Sequence, residues 1–314
     1  MTRRIIREAE REVVAVEREL HETESELLEC IEARGPWPFL TRKVYRDSHQ
    51  KVHVWESRAD RKRLRAECEE VEVLAGDLWR CLWAPGDLNW WIGGIFALGS
   101  LLFALGSLLS LAPGLAQAWG LPLRAVNGIY FLGSVPFTAA AYLQLYQSAN
   151  APAFDPVIRR SGPSKRRLLG WEPRNVGWLS SALQFAGTLL FNLDTFDAMR
   201  PGGSWQAQDV FIWMPDFVGS VFFLASGYLA FIEICHAHWA WRPTSLSWWV
   251  TWINLLGCIG FMISAFFAVV LPGVDPGRAE VLATLANGFT LQGAVCFFFG
   301  AVLLLPESAR KSGS

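Results

Sequence analysis

The sequence divides into a charged N-terminal part and a series of long apolar segments. From Trp90 onward, apolar runs of more than 20 residues alternate with short polar stretches. A helix rises about 1.5 Å per residue, so a run of this length crosses a hydrocarbon core of about 30 Å. Runs this continuous are typical of helices rather than barrel strands. The pattern predicts six membrane-spanning helices, over residues 90–111, 126–147, 176–196, 210–234, 248–271 and 281–305.

Two short phrases recur through these segments in a fixed order. The first segment of each consecutive pair contains G-[STC]-x-x-F, and the second contains G-[SA]-V-x-F. An ordered pair of phrases that occurs three times indicates an internal repeat. Because a two-helix unit keeps its orientation when it is duplicated, we expect three parallel two-helix hairpin repeats. The phrase glycines are Gly99 and Gly133, Gly187 and Gly219, and Gly257 and Gly293.

The N-terminal part carries two heptad patterns. Apolar residues alternate at steps of three and four through residues 3–33 and again through residues 64–82, with many charged residues between them. This spacing is typical of coiled-coil-like helices. The two helices are compatible with an intramolecular hairpin, a homo-oligomer or a partner protein, and the sequence does not choose among these. The expected fold is therefore all-α, a polytopic membrane protein with N-terminal cytosolic helices.

This reading divides the chain into a cytosolic region and three membrane units. The cytosolic region includes a basic stretch over residues 42–65. The boundaries are 1–87 for the charged cytosolic region, 88–147, 176–234 and 248–305 for the hairpin repeats, 148–175 for a basic cytosolic loop, and 306–314 for a cytosolic tail.

The placement of Lys and Arg predicts the orientation in the membrane. These residues concentrate before residue 88, in loop 148–175 and in the C-terminal tail, whereas each opposite loop carries a single Arg: Arg124, Arg200 or Arg278. Cytosolic loops are enriched in Lys and Arg, so both termini are expected in the cytosol and the protein in the cytoplasmic membrane. The formal net charge of −1 gives no indication of nucleic-acid binding.

The basic stretch close to the first membrane segment is a candidate lipid-binding surface. A Lys or Arg near an anionic membrane surface contributes about 1 kcal/mol of attraction. The alternative is a solvated helix face that obeys the same orientation rule. The head-group candidates are Arg61, Lys62, Arg63 and Arg65.

Polar side chains inside the apolar segments are the candidate solute or ion ligands, because burying them in hydrocarbon is costly. Gln184 and Asn254 stand three residues before their phrase glycines, where the first repeat has Phe96. If these positions face the repeat axis, they line one level of a central cleft. The alternative is that the amides form hydrogen bonds between helices.

Two carboxylates in the middle hairpin are the remaining candidates. Asp194 lies near the end of one apolar segment and Asp216 near the start of the next, after Pro215. Two carboxylates in a poorly solvated place can share a proton or bind a cation. The alternatives are an interfacial position for Asp194 and a helix-capping role for Asp216.

Sequence motifs for catalysis are missing from this chain. It contains no G-x-S-x-G, H-E-x-x-H or Walker loop, and Cys235-His236-Ala237-His238 lacks a second pair of metal ligands. We expect no cofactor and no metal, and an intramembrane enzyme is the least favoured interpretation. The favoured one is a protein that binds or passes a small solute or ion between its repeats. The alternative is a membrane-anchored interaction or signalling scaffold that uses the N-terminal helices.

The first repeat resembles a known bacterial family. Residues 94–103 read GIFALGSLLF and residues 127–135 read NGIYFLGSV, with a glycine-serine step in each helix. In this respect residues 88–147, and also 248–305, resemble the YrhK-like membrane domain. The resemblance implies a two-helix membrane hairpin in a bacterial cytoplasmic membrane, and it implies no activity.

Overall fold

A computed structural model describes residues 29–47, 49–64, 82–151, 166–200, 204–270 and 272–309. Residues 3–28 of the first heptad pattern and residues 65–81 of the second lie outside the described residues. Their predicted coiled-coil pairing therefore stays a prediction. The described part of the chain is mostly helical.

The described N-terminal residues form a small antiparallel sheet, which corrects the expectation of a wholly helical cytosolic region. The strands are β1 (Glu29–Arg34), β2 (Arg42–Arg46) and β3 (Val52–Glu56), in the order β1-β2-β3. In β2 and β3, Val, Tyr and Trp recur among charged residues, a composition that favours strands. The Asp47 carboxylate accepts hydrogen bonds from the backbone of His49 and Lys51 at 2.9 and 2.8 Å, which closes the β2–β3 turn.

A short helix, α1 (Ser57–Lys62), follows β3 directly. It ends at Arg63, whose φ of 57° is left-handed and whose side chain is exposed. Ser57, Arg58, Arg61 and Lys62 are buried although they are polar, which places this helix against another part of the protein.

Six long helices form the main body of the described chain. A short α3 (Pro113–Ala118) follows the first of them. The segment α6 (Trp205–Gln208) and a π-helical turn (Asp209–Trp213) run directly into the fourth. The long helices are α2 (Leu88–Leu111), α4 (Leu123–Ala149), α5 (Val176–Asp197), α7 (Met214–Cys235), α8 (Leu246–Phe267) and α9 (Pro276–Ala309).

Four helical segments are long and apolar enough to cross a membrane, which identifies a membrane protein. The helices α4 and α5 fall outside this group because they carry more polar residues. The four segments are Leu88–Leu111, Trp205–Cys235, Leu246–Phe267 and Pro276–Glu307.

The six long helices pack as a ring, each against the preceding and the following one, and α9 returns to α2. Neighbours are antiparallel: Ser180 at the start of α5 bonds Ser226 near the end of α7, while Gly187 faces Gly219 further along. We call the end of the ring where α2, α5 and α8 begin the proximal end, and the opposite end the distal end.

The phrase glycines are the crossing points within helix pairs α2/α4, α5/α7 and α8/α9. A Cβ added to Gly187 would lie 2.6 Å from the Phe223 ring and 3.0 Å from the Gly219 carbonyl oxygen. Gly99 and Gly133, and likewise Gly257 and Gly293, approach one another in the same way. Small residues permit this close backbone approach, which compensates for the lack of a hydrophobic drive in lipid.

The phenylalanines of the six phrases meet inside the ring, and we call this cluster the phenylalanine plug. The ring centroids of Phe191 and Phe223 are 4.9 Å apart, and Phe261 lies 5.3 Å from Phe297. All six belong to one buried core cluster. The plug consists of Phe103, Phe137, Phe191, Phe223, Phe261 and Phe297.

The same local structure starts α2, α5 and α8. Each is preceded by W-x-P-x-[DNS]-[LV]-x-W, in which Asp87, Asn175 or Ser245 is the N-cap and accepts a backbone N–H of the first turn. The second tryptophan of each motif donates its indole N–H to a backbone carbonyl upstream, and it packs edge-on against the first tryptophan.

Candidate functional site

The ring encloses a cavity of about 440 Å³ in its distal half. Three rings of the plug, Phe103, Phe191 and Phe261, line it on the proximal side. The rest of the lining is mixed, with apolar residues of α8, of α9 and of the segment between them and a limited set of polar groups. Those polar groups are Asn127, Tyr130, Asp194, Thr195, Gln208, Trp213, Asp216, Ser264, Asn287 and Thr290.

Asp194 and Asp216 line this distal cavity together. Asp194 lies in the last turn of α5, and Asp216 lies in the first turn of α7. Among the described residues that line the cavity, none is a Lys, Arg or His. Arg200, the basic residue that follows α5, is bound to Asp197 at 3.1 Å. The cavity therefore contains two carboxyl groups and no basic side chain among the described residues that line it.

Hydrogen bonds hold the polar lining of the distal cavity in place. The Tyr130 hydroxyl lies 3.1 Å from Asn287 Oδ1, which joins α4 to α9. Asn127 donates to the Ala198 carbonyl oxygen at 2.6 Å, at the end of α5. Trp213 donates to the Ala265 carbonyl oxygen at 2.8 Å and so anchors the π-helical turn beside Asp216. Such turns occur frequently at functional sites.

A second, smaller cavity of about 70 Å³ lies in the proximal half of the ring. Gln184, Asn254 and Phe96, each of which stands three residues before a phrase glycine, all line it. The plug rings Phe223 and Phe297 line its distal side. The four predicted solute ligands therefore do not form one site: the carboxylates line the distal cavity, and the amides line the proximal cavity beyond the plug.

The proximal end of the ring is occupied by α1, which sequence reasoning missed. Arg58 binds the Glu307 carboxylate with two hydrogen bonds of 3.0 and 3.1 Å, and Lys62 binds it at 2.8 Å. Arg61 binds Glu233 at 2.6 Å, and all of these side chains are buried. Each of these basic side chains is thus paired with a carboxylate inside the protein.

This placement corrects the interpretation of Arg61 and Lys62 as lipid head-group ligands. Both side chains are more than nine-tenths buried and face carboxylates of the ring, so they are not available to a membrane surface. Arg63 is exposed, and Arg65 lies outside the described residues. A lipid role for these two stays a prediction.

A sequence signal for the docking of α1 exists in the repeats. Glu233 and Glu307 both stand 14 residues after a phrase glycine, Gly219 or Gly293. Acidic residues at matched positions near the ends of apolar segments indicate partners of opposite charge. The equivalent residue of the first repeat is Gln147, which donates to Asn89 at 2.9 Å.

The basic groups of α1 outnumber the acids that they meet. The pKa of Lys62 is lowered to about 7, mainly because burial disfavours the charged form and also because of the neighbouring charges of Arg58 and Arg61, while Glu307 acts in the opposite direction. Lys62 therefore retains its proton less firmly than an exposed lysine. Glu233 and Glu307 supply two carboxylates for three basic side chains.

The histidines and cysteines of the described chain do not form a metal centre. Among the described residues, no group of three or more His, Cys, Asp or Glu side chains could hold a metal ion. His236 contacts Thr41 at 2.9 Å and His238 contacts Tyr228 at 2.9 Å. His53 lies 3.0 Å from Asp47. These histidines make structural contacts.

Comparison with known proteins returns no match. This holds for protein-family models, for curated proteins and for solved structures. A function for this chain therefore has to be inferred from its two cavities and their charges.

Proposed function

We propose that the protein binds a small cationic solute or ion in the distal cavity of a six-span helix ring. The observation that carries the proposal is a cavity of about 440 Å³ lined by Asp194 and Asp216 and by no basic side chain among the described residues. Ligand cavities commonly measure 300–1,000 Å³ and combine apolar walls with a few polar groups. Two carboxylates in a poorly solvated place favour a cation.

The packing of α4 and α5 supports the proposal that all six long helices cross the membrane. Both lie between α2 and α7 in the ring, so they extend through the same depth as helices that are long and apolar enough to span. Their polar residues are paired with each other: Asn192 donates to Thr138 at 2.8 Å, and Ser148 bonds Ser181 at 3.0 Å. Such pairing keeps polar groups away from lipid.

Three parallel hairpin repeats account for the matched contacts of the ring. The phrase glycines, the plug rings and the tryptophan motifs occur once in each of the pairs α2/α4, α5/α7 and α8/α9. The proximal end holds α1 and lies next to the Lys- and Arg-rich segments, so we infer that it faces the cytosol. The distal cavity then opens away from the cytosol. The YrhK-like resemblance agrees with this architecture and stays a prediction.

Reporter tags test this orientation. Tags placed beside Arg124, Arg200 and Arg278 are expected outside the cytosol, and a tag before Glu29 is expected inside it. Cytosolic signals from all three of the former positions would contradict both the orientation and the six-span arrangement.

Passage of the solute across the membrane requires the plug to open. In the structure the six plug rings lie between the two cavities, so the distal cavity is closed toward the proximal end. We infer that the structure represents a state that accepts solute from the distal side. The alternative of an interaction scaffold depends on the two N-terminal heptad patterns, of which residues 3–28 and 65–81 lie outside the described residues, and it stays a prediction.

Changing Asp216 to Asn is expected to weaken cation binding by tenfold or more, because it removes one of two carboxylates from the cavity. Two opposite unit charges about 4 Å apart attract each other by about 4 kcal/mol at an effective dielectric constant of about 20, and about 1.4 kcal/mol corresponds to a factor of ten. The measurement is binding of radiolabelled tetraethylammonium to the purified full-length protein, with Na⁺ and K⁺ as competitors.

Asp275→Asn is the matched control for this experiment. Asp275 is an exposed carboxylate that caps the start of α9 and does not line the cavity. Its change should leave binding unaltered. Competition by Na⁺ or K⁺ alone would indicate an inorganic cation as the ligand. Equal binding by the wild type, Asp216→Asn and Asp194→Asn would remove the proposed site.

A further inference from the structure

The proximal cavity is lined by basic groups without any acid. Arg58, Arg61 and Lys62 line it, whereas no Asp or Glu does so among the described residues. Glu233 and Glu307 bind the same three side chains from outside the cavity wall. Three buried basic groups thus meet two buried carboxylates. Since an uncompensated buried charge costs several kcal/mol, a further negative charge would be stabilising here.

Other carboxylates near α1 do not fill this role. Glu56 lies 3.6 Å from Arg42 and 3.6 Å from His236, on the side of the sheet. Asp60 is half-buried, and it does not line the cavity. Burial raises the pKa of Asp60, so its negative charge is disfavoured.

The first hairpin lacks the acidic residue that each of the other two hairpins has at this end of the ring. Glu233 and Glu307 occupy one repeat position, and Gln147 occupies it in the first hairpin. The Gln147 Oε1 atom is buried and has no hydrogen-bond partner among the described residues. The arrangement therefore has two acids and one neutral amide facing a helix with three basic side chains.

The rest of the lining of the proximal cavity combines apolar side chains with amides and hydroxyls. The amides of Gln144, Gln184 and Asn254 reach it, and one N–H of Asn254 already donates to the Val250 carbonyl oxygen at 2.8 Å. The hydroxyls of Ser180 and Thr251 also reach it, but they donate to carbonyl oxygens of the helices, so the amides are the donors suited to an anion. Arg61 is more than nine-tenths buried, and its Nε–H has no partner among the described residues. A volume of about 70 Å³ has room for a halide-sized ion and excludes bulky organic anions.

We propose that the proximal cavity binds a small monovalent anion of halide size, held between the basic side chains of α1 and the amides of the helix ring. The anion completes the charge balance at the contact between α1 and the ring. It lies on the opposite side of the plug from the cation site, so failure of one proposal leaves the other untouched.

A comparison of sodium bromide with sodium gluconate at equal ionic strength tests this site, because the two anions differ in size. Thermal unfolding of the purified full-length protein is followed by tryptophan fluorescence. A ligand that binds the folded state raises the unfolding temperature with its concentration. We expect bromide to raise it and gluconate to leave it unchanged. Equal responses to the two salts would overturn the proposal.

Two sets of variants locate the anion. Gln184→Leu combined with Asn254→Leu removes two donors, and we expect about tenfold or more weaker bromide binding. The control is Asn192→Leu, which removes an amide of α5 that lines neither cavity. Its bromide response should match that of the wild type, as should that of Asp216→Asn. A normal response in the double variant would contradict the assignment.

Gln147→Glu provides a test in the opposite direction. It introduces the third carboxylate at the matched repeat position, so we expect a higher unfolding temperature in gluconate and a lost bromide response. A gain of this kind cannot arise from simple misfolding. An unchanged bromide response in Gln147→Glu would count against a charge deficit at this end of the ring.

Discussion

Replacing Glu307 with Ala releases α1 from the helix ring and destabilises the docked state by about 3–5 kcal/mol. Glu307 is buried and binds both Arg58 and Lys62, so its removal leaves two buried basic groups without a partner. Loss of one member of a buried ion pair costs far more than loss of an exposed pair, because the remaining charge is still desolvated.

The rate of cleavage by trypsin measures the release of α1 directly. Trypsin cleaves after Lys and Arg, and in the docked state Arg58, Arg61 and Lys62 are buried. We expect mass spectrometry to detect rapid cleavage at these residues in Glu307→Ala and slow cleavage in the wild type. Glu280→Ala, an exposed acid on the same helix, is the control and should behave as the wild type does. Unchanged protection in Glu307→Ala would contradict the ion-pair contact.

Replacing Phe261 with Ala joins the two cavities and costs about 3–5 kcal/mol of stability, the usual range for a buried phenylalanine. Phe261 is the best-connected ring of the plug: its centroid lies 5.9 Å from that of Phe103, 5.8 Å from Phe191 and 5.3 Å from Phe297. Its loss opens the barrier between the distal and the proximal cavity.

Two measurements on Phe261→Ala are expected to change together. The unfolding temperature falls, and proteoliposomes that contain the variant leak small cations faster than those with the wild type. Phe266→Ala is the control, because Phe266 is 68% exposed on the same helix and is not part of the plug. A variant that is destabilised without leaking would show that the plug is a packing core and not a barrier.

The apolar pattern predicted the long helices well, because their length and continuity are local properties of the sequence, and four of these helices are long and apolar enough to cross a membrane. The predicted segment 176–196 compares with α5 at Val176–Asp197, and 248–271 compares with α8 at Leu246–Phe267. The phrase glycines also signalled close helix contacts, which the structure contains. The π-helical turn had no such signal, since Asp209–Trp213 differs from an ordinary helix only in its hydrogen bonding.

The sheet and the docking of α1 were not predicted, for two physical reasons. The strands β2 and β3 lie in the basic stretch of residues 42–65, where the many charged residues masked the Val, Tyr and Trp residues that favour strands. The ion pairs join residues that are far apart in sequence, such as Arg61 and Glu233, and the local pattern of charges around Arg61 resembles a solvated surface. Lys62 was therefore interpreted as a ligand of lipid head groups, although it binds Glu307 inside the protein.

The four candidate ligands all line a cavity, but their division between two cavities was not predicted. Asp194 and Asp216 were recognised as costly residues in apolar segments, and so were Gln184 and Asn254. Their division between two cavities depends on the depth of each residue relative to the plug. That depth is a property of the assembled ring, which the repeat pattern indicates only in outline.

The contact between Arg58 and Glu307 also bears on how the protein is assembled during synthesis. The two residues are separated by 249 positions, so the ribosome completes α1 long before its partner on α9 exists. Until the last helix has entered the bilayer, α1 has no complete set of acids to bind. Docking of the N-terminal sheet is therefore a late step of biogenesis, and the docked sheet is a sign that insertion has finished.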